Sequence, residues 1–294
     1  MRPNRLRELL TAGQPSIGTH LHSSWPTVVE MVGHTRRFDY VEFSGEYAPY
    51  DLHGLDNFCR AAELLDLGAM IKLDQEPRSW LAQRAIGAGF QSVLFADIRN
   101  ADDARECVRV VRPDTPHGLG TYGAADRRNS YWAQAASADY IRALKEIVVV
   151  LMIEKKSAVD HLDEILAVPG IDMIQWGPSD YAMSIGRPGG WYDDDVREVE
   201  RHVLARCLAA GIPARAEIVE PSEAAYYLDQ GVRHFCIGTD LYILHDWLNE
   251  RGARLAEILG VDDRASASAA SAPAASAPAA SAYERGGSDV HKPA

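Results

Sequence analysis

Eight short segments rich in β-branched and aromatic residues recur along the first 261 residues, and helical segments separate them. This alternation is the feature that most restricts the fold, because repeated strand–helix units assemble around a parallel sheet. The predicted strands are Ser16–Leu21, Tyr40–Phe43, Ala69–Leu73, Ser92–Ala96, Val148–Ile153, Met173–Trp176, Ala214–Ile218 and His234–Ile237.

The segments between these strands carry apolar residues at three- and four-residue spacing, which predicts amphipathic helices such as Asp102–Val111, Ala158–Ala167, Asp194–Ala210, Ser222–Gln230 and Tyr242–Leu259. Four glycines just before strands are predicted to close helices in the left-handed conformation: Gly68, Gly89, Gly211 and Gly231. Eight such units predict an α/β fold, the (β/α)8 TIM barrel. A doubly wound sheet is the competing architecture, but the G-x-G-x-x-G turn that it needs after the first strand is missing.

The composition changes near the end of the chain, where Ala, Ser and Pro dominate and few large side chains remain to be buried. A segment of this composition gains too little from burial to offset the entropy that folding costs. The sequence therefore predicts a barrel domain over residues 1–261 and a disordered tail over residues 262–294.

The chain has 42 acidic and 30 basic residues, a formal net charge of −12. Nucleic-acid binding needs clustered Lys and Arg to neutralise phosphates, so a nucleic-acid partner is not expected. The four cysteines have no C-x-x-C spacing, and no stretch of about 18 apolar residues occurs, so we expect no structural zinc site, disulfide framework or membrane span. These features predict a cytoplasmic protein with a small-molecule partner.

Polar residues lie at the end of nearly every predicted strand or shortly after it: His20, His22, Glu46, Lys72, Asp74, Asp97, Glu154, Asp180, Glu217 and Asp240. In TIM barrels the carboxyl ends of the strands carry the active site. Acidic residues at strand ends also cap the following helix or form local ion pairs, and these interpretations are favoured for Asp97, Glu217 and Asp240 taken singly.

Glu154 and Asp180 are the predicted metal ligands. Glu154 continues the apolar run VVVLMI, so its side chain is expected at the barrel mouth, and Asp180 follows a Gly-Pro turn. Carboxylate oxygens without neighbouring Cys or His favour Mg²⁺ or Mn²⁺, with Co²⁺ as a further candidate, over structural zinc. Open coordination positions would let the metal chelate a 2-oxo acid and stabilise its enolate.

Several motifs in the chain resemble the HpcH/HpaI aldolase family, the metal-dependent class II pyruvate aldolases related to citrate lyase. They include FDYVEFSGEYAP, VVVLMIEKKSAVDHLDEIL and PGIDMIQWGPSDYAMSIG, and the resemblance extends from Ser16 to Leu259. It implies a phosphoenolpyruvate/pyruvate-type barrel, a homohexamer whose final helix is exchanged between subunits, and a metal on Glu154 and Asp180. The substrate carboxylate would bind the turn formed by Gly177, Pro178 and Ser179.

The chain departs from this family in its proton-transfer residues. The family has Glu-His after the second strand, where this chain has Glu46 and Tyr47, and the aspartate that partners the histidine falls near Gly87. Lys72 aligns with the family's arginine that steadies the enolate oxygen, so the charge is kept but the bidentate fork is lost.

Three candidates remain for moving protons: Tyr47, His20 and a metal-bound hydroxide. His20 aligns with a site-lining aromatic residue of the family, and its ordinary pKa suits a base near neutral pH. Thr121, after a glycine-rich turn, is a candidate for hydrogen bonding to substrate, although the glycines could equally serve only to shape the loop.

Together these features predict a divalent-metal-dependent carbon–carbon lyase, an aldolase that cleaves or forms a 2-oxo acid aldol through a metal-bound pyruvate enolate. Its substrates would be a 2-oxo acid and an aldehyde. Two alternatives use the same residues: an oxaloacetate-type decarboxylase or condensing enzyme, and a noncatalytic paralogue that binds metal and 2-oxo acid.

Overall fold

The computed structural model of the chain describes residues 2–116, 118–124 and 134–261. Its centre is a closed barrel of eight parallel strands, in which the last strand pairs with the first through Ser16 and His234. The strands are β1 Ser16–Leu21, β2 Tyr40–Ser44, β3 Gly68–Leu73, β4 Ser92–Phe95, β5 Val148–Ile153, β6 Met173–Trp176, β7 Ala214–Ile218 and β8 His234–Thr239. The predicted TIM barrel is confirmed, and the bounds of every strand agree to within two residues. The predicted tail, residues 262–294, lies outside the described residues.

Helices follow the strands and surround the barrel. They are α1 Arg5–Thr11, α2 Pro26–Thr35, α3 Leu52–Leu64, α4 Arg78–Ala88, α5 Ala101–Val111, α6 Ala138–Lys145, α7 Lys156–Asp160, α8 Leu162–Leu166, α9 Pro178–Ser184, α10 Asp194–Ala209, α11 Ala224–Leu228 and α12 Asp240–Leu259. A 3₁₀ turn, Pro221–Glu223, precedes α11, and a short antiparallel hairpin pairs Asp114–Thr115 with Gly118–Leu119. The single helix predicted over Ala158–Ala167 is wrong in one respect, because its backbone leaves the helical conformation at His161 and divides it into α7 and α8.

Side chains alternate between the two faces of each barrel strand, as the period of two requires. On β5, Val149 and Leu151 pack outwards against the helices, whereas Val148 and Val150 belong to a separate apolar cluster. That cluster fills part of the barrel interior and includes Leu6 from α1. Burial of these two apolar layers is the main source of the barrel's stability.

Left-handed backbone ends three of the helices at the predicted glycines, with φ of 127° at Gly89, 74° at Gly211 and 84° at Gly231. The prediction for Gly68 is wrong. Asp66 takes the left-handed conformation instead, with φ of 57°, and Gly68 begins β3. Asp tolerates this conformation better than most residues, so the turn does not need glycine there.

The chain divides into a unit of Met1–Leu244 and a unit of His245–Ala294. The described part of the second unit contains the remaining turns of α12, and it exposes the large apolar side chains Trp247, Leu248, Leu255, Ile258 and Leu259. Across the described ranges, no helix combines the length and apolar character that a membrane span requires.

Candidate active site at the mouth of the barrel

The carboxyl ends of the strands bring two groups of charged side chains together. The first, here called the acidic cluster, consists of Asp97, Glu154, Lys155 and Asp180. The second, called the His20 network, consists of His20, Glu42, Gln175, Arg215 and Glu217. The positive charge of Lys72 acts to lower the pKa of Glu154 in the acidic cluster and of Glu217 in the His20 network, and the two groups form one candidate site at the carboxyl ends of the strands.

Glu154 directly follows β5 and is only 2% exposed. One carboxylate oxygen, Oε1, accepts a hydrogen bond of 2.7 Å from the backbone N–H of Asp97. The other, Oε2, lies so close to Gly177 that a Cβ atom there would approach it to 2.6 Å. Burial raises the pKa of Glu154 to about 7, although Lys72 and the Asp97 N–H partly offset this effect. A nearby cation would therefore stabilise its ionised form.

Lys155 lies between the other two carboxylates of the acidic cluster. Its Nζ atom is 2.6 Å from Asp97 Oδ1 and 2.8 Å from Asp180 Oδ1. Burial alone lowers the pKa of Lys155, but the hydrogen bonds to Asp180 and Asp97 raise it overall, so the amine stays protonated. Asp97 has a left-handed backbone with φ of 58°, the conformation in which its N–H is hydrogen-bonded to Glu154.

The acidic cluster fits a hard divalent cation. Its donors are carboxylate oxygens, which Mg²⁺ and Mn²⁺ prefer, and the Lys155 ammonium already marks a position at which positive charge is stabilised. Among the described residues no group of three Asp, Glu, His or Cys side chains is arranged to hold a metal. Lys155 donates a hydrogen bond to Asp180 Oδ1, so a cation bound by both Glu154 and Asp180 would compete with the Lys155 ammonium.

Lys72, near the end of β3, is buried and contacts Glu46 and Tyr47, which come shortly after β2. Its Nζ atom is 2.7 Å from Glu46 Oε2, and it donates a hydrogen bond of 3.0 Å to the Tyr47 hydroxyl. Burial lowers the pKa of Lys72, but Tyr47, Glu46 and Glu154 raise it well above its usual value, so it remains cationic. Tyr47 is 56% exposed, and burial of its hydroxyl raises the pKa to about 12.

The His20 network is built inside the barrel around Arg215, which is completely buried. The guanidinium donates to Glu42, to the side-chain carbonyl of Gln175 and, over 2.8 Å, to the Tyr40 hydroxyl. The Tyr40 ring occupies the space above Gly18, where a Cβ atom would approach it to 2.3 Å. Glycine on β1 therefore makes room for the network's aromatic partner.

Glu217 links this network to the mouth. Its Oε1 atom is 3.2 Å from His20 Nδ1, and its Oε2 accepts a hydrogen bond of 3.2 Å from Gln175 Nε2. The side chain is 42% exposed, and desolvation of the carboxylate is nonetheless the largest influence on its pKa. Burial alone would raise the pKa of Glu217, but His20 and Arg215 lower it to about 2.

His22 lies beside the network, with its ring centroid 5.1 Å from that of His20 and 6.3 Å from that of Tyr47. The carboxylate of Asp240 accepts hydrogen bonds from the backbone N–H groups of His22 and Ser23, so Asp240 ties the end of β1 to the start of α12. His22 also lines an open depression of about 540 Å³.

Most of the predicted site residues therefore come together, but Thr121 does not. Gly177, Pro178 and Ser179 lead into the first turn of α9 beside Asp180. Thr121 instead contacts Arg109 and Gln83, on α5 and α4. Its predicted role in substrate binding gains no support from these contacts.

Sequence reasoning missed the buried part of the His20 network and the partners of Lys155. The available signal was charge inside predicted strands. Glu42 interrupts YVEFS and Arg215 interrupts ARAEI, and a charged residue within a barrel strand that faces inwards must be paired.

Comparison with known proteins agrees with this fold. Residues 16–245 match the family model described as HpcH/HpaI aldolase/citrate lyase. A hydroxypyruvate/pyruvate aldolase of Roseovarius nubinhibens is 30% identical over 82% of this chain and 92% of its own length. A 2-keto-3-deoxy-L-rhamnonate aldolase of Escherichia coli is 29% identical over 84% of this chain and 91% of its own length.

Among solved structures, an HpcH/HpaI aldolase/citrate lyase family protein from Burkholderia cenocepacia J2315 is similar to this chain. The two superpose with a TM-score of 0.78 at 26% identity, over 86% of this chain and 99% of the other.

Proposed function

This chain belongs to the HpcH/HpaI aldolase/citrate lyase family, and we propose that it is a divalent-metal-dependent aldolase acting on a 2-oxo acid. Membership, with relatives that are named aldolases, supports a lyase of carbon–carbon bonds. The observation that carries the finer proposal is the position of Glu154 and Asp180 at neighbouring strand ends, with a cation already stabilised between Asp180 and Asp97.

Glu154 and Asp180 would hold the metal, which is Mg²⁺ or Mn²⁺ on the chemistry of its oxygen donors. When bound, a divalent cation polarises the substrate carbonyl and stabilises developing enolate charge, a contribution of several kcal/mol. The turn Gly177–Ser179 is next to Asp180 and would receive the substrate carboxylate through the backbone N–H of Ser179, because N–H groups in the first turn of a helix lack intrahelical partners. Pro178 has no N–H, and that of Gly177 donates to the Ile153 carbonyl.

Lys72 would stabilise the enolate oxygen from the protein side. Its ammonium is held by Glu46 and Tyr47, and its raised pKa keeps it charged throughout the neutral range. Tyr47 keeps its proton under the same conditions, since its pKa is about 12. Tyr47 thus orients Lys72 by accepting its hydrogen bond, whereas the acceptance of a proton from substrate needs another group.

The substrates would be pyruvate or a substituted pyruvate and an aldehyde, since the Roseovarius relative is named a hydroxypyruvate/pyruvate aldolase. An open depression of about 540 Å³ beside His22 provides room for a small acceptor. Members of the family are named for different acids, so the choice of aldehyde is a property of the individual enzyme.

The reaction is tested by incubating the purified protein with pyruvate and Mg²⁺ in deuterated water. Intact enolate chemistry exchanges the methyl protons of pyruvate for deuterium, which proton NMR measures directly. Pyruvate binding without exchange would contradict the aldolase and indicate the noncatalytic, ligand-binding paralogue.

The metal site is tested by the double variant Glu154→Gln, Asp180→Asn. Excess Mn²⁺ at about 100 times its dissociation constant should stabilise the wild type by about 2.7 kcal/mol, seen as a higher melting temperature. The double variant should show no such shift. An equal shift in both proteins would place the metal elsewhere.

We also propose that the protein is a homo-oligomer, a hexamer on the resemblance to its family. The second unit exposes several large apolar side chains on α12, and contiguous apolar surface of this kind is commonly covered by another chain. Light scattering should give a mass several times 32.3 kDa, and Leu255→Asp should reduce it.

A further inference from the structure

Aldol cleavage needs a group that accepts a proton from the substrate hydroxyl and a group that returns one to the enolate carbon. Tyr47 is a poor acceptor, because its hydroxyl stays protonated up to a pKa of about 12. His20 has a suitable chemistry but lies only 5% exposed. Its Nδ1 atom faces Glu217 and its Nε2 lies 3.7 Å from Glu42 Oε1, so neither ring nitrogen faces the substrate space.

Glu217 is the member of the His20 network that the solvent reaches. It is 42% exposed, and its carboxylate is held from two sides, by His20 on Oε1 and by Gln175 on Oε2. The charge of Lys72, the residue proposed to stabilise the enolate, also acts to lower the pKa of Glu217. An exposed carboxylate that contacts a buried imidazole is an arrangement able to pass a proton between substrate and protein.

We propose that Glu217 and His20 form a proton-transfer pair in which Glu217 is the catalytic residue that contacts substrate. His20 is a positioning residue, which holds the carboxylate and takes up the proton behind it. This inference rests on the proposed aldolase function and identifies the group that moves the proton in it.

The Glu217–His20 pair takes up one proton and returns one proton in each reaction cycle. As the carbon–carbon bond breaks, its electrons go to the carbon next to the 2-oxo group and form the pyruvate enolate, while the hydroxyl-bearing carbon becomes the aldehyde carbonyl. The hydroxyl proton moves to Glu217 and is held by the pair as imidazolium. One proton then returns from the pair to the enolate carbon and completes the methyl group of pyruvate, so no oxidant or reductant is needed.

The charges around His20 support storage of this proton on the imidazole. Burial lowers the pKa of His20, but Glu42 on β2 and Glu217 on β7 raise it overall, against an opposing effect of Arg215. His22, the other titratable group beside the ring, has a lowered pKa through burial and the charge of His20. A neutral imidazole next to the ionised Glu217 therefore takes up one proton readily and holds it as imidazolium.

The closing experiment measures pyruvate methyl-proton exchange with Mg²⁺ across pH for the wild type, Glu217→Gln and His20→Asn. General acid–base catalysis typically contributes 10²- to 10⁴-fold, so we expect Glu217→Gln to lower the exchange rate by about 100-fold or more. Glu217→Asp should restore part of the rate, and Asp229→Asn, an exposed carboxylate in the same unit, should leave it unchanged. His20→Asn should slow exchange and remove the ionisation of the imidazole from the pH profile of the exchange rate.

A second readout does not depend on activity. In ¹⁵N-edited NMR spectra, Glu217→Gln should lower the pKa of the His20 imidazole, because one of its two carboxylate partners is removed. Circular dichroism and the Mn²⁺-induced melting shift verify that the variants fold and bind metal.

Three results would overturn the inference: exchange by Glu217→Gln within threefold of the wild type, an unchanged pH profile in His20→Asn, or an unchanged His20 pKa in Glu217→Gln. Failure of the proposed function looks different. In that case the wild type itself would exchange no pyruvate protons, although the NMR coupling between His20 and Glu217 would persist.

Discussion

The two sides of the barrel interior are filled in opposite ways. Strands β3 to β6 contribute mainly apolar side chains, namely Met70, Leu94, Val148, Val150 and Met173. Gln175 of β6 is an exception, because it belongs to the His20 network. Strands β1, β2 and β7 contribute His20, Glu42, Arg215 and Glu217, which are charged or titratable. Both sides close the same barrel, so closure alone does not require charge.

This difference indicates which side serves function. An apolar interior stabilises the barrel by removing carbon from water. Buried ion pairs often stabilise a fold no better than apolar residues of similar size, because desolvation opposes their attraction. A charged half-interior leading to an exposed carboxylate is therefore better explained by the chemistry at the mouth than by stability.

Removal of one partner of the buried ion pair between Arg215 and Glu42, in the polar half, should have the largest effect. Arg215→Met removes the guanidinium partner of the buried Glu42 carboxylate and leaves only His20 Nε2 at 3.7 Å from it. Loss of one partner of a buried pair costs about 3–5 kcal/mol. Urea unfolding measures this loss. Arg5→Met, which removes an exposed pair with Asp39, should change the free energy of unfolding by less than about 1 kcal/mol. Equal losses in the two variants would mean that Glu42 and Arg215 are not buried as described.

The apolar half should respond in stability alone. Leu94→Ala removes a completely buried side chain and should cost about 2–5 kcal/mol. Leu94→Met keeps the volume and should cost less than about 1.5 kcal/mol. Both folded variants should exchange pyruvate protons at the wild-type rate in NMR. A large loss of exchange in Leu94→Met would show that the two halves are not functionally separate.

The acidic cluster at the mouth differs from both halves of the interior, because a metal bound there would compete with the Lys155 ammonium for Asp180. Lys155→Met removes the ammonium that lies 2.8 Å from Asp180 Oδ1. We expect Mn²⁺ to bind about tenfold more tightly, equivalent to about 1.4 kcal/mol, as measured by electron paramagnetic resonance. The neighbouring Lys156, 58% exposed and paired with Asp160, is the matched control, and Lys156→Met should not change the affinity. Weaker metal binding in Lys155→Met would mean that Lys155 assists the site.

The smallest expected effect is the pH dependence that Glu217 gives to the polar half. Its pKa in the folded protein, about 2, lies below the ordinary value of 4.5, so the stability it contributes is present above pH 4.5 and is lost as the pH falls towards 2. Because the carboxylate is partly exposed, screening limits this contribution to about 1 kcal/mol or less. Unfolding of Glu217→Gln in urea at pH 3 and pH 6 should show a correspondingly smaller difference than in the wild type. Asp229→Asn should keep the wild-type difference in unfolding free energy between pH 3 and pH 6. The same difference in Glu217→Gln as in the wild type would contradict the lowered pKa of Glu217.

Much of the fold and part of the site could be predicted because they depend on local patterns. The strand β5 is a continuous apolar run followed at once by Glu154, and Gly177 with Pro178 marks the turn before Asp180. Once eight strands are recognised, the barrel topology brings their carboxyl ends together. Local patterns were less reliable where one residue decides a helix boundary, as at Asp66 and His161.

The eight strands, the barrel and the two carboxylates proposed to hold a metal could be predicted from the sequence, since periodicity and strand-end position are readable over a few residues. The pairing of the charged interior, in contrast, depends on contacts between distant strands. Arg215 meets Glu42 across 173 residues of sequence, and His20 meets Glu217 across 197, because closure of the barrel places β7 near β1 and β2. Whether Glu217 merely caps a helix or stands before a buried imidazole depends on that closure, and no local pattern records it.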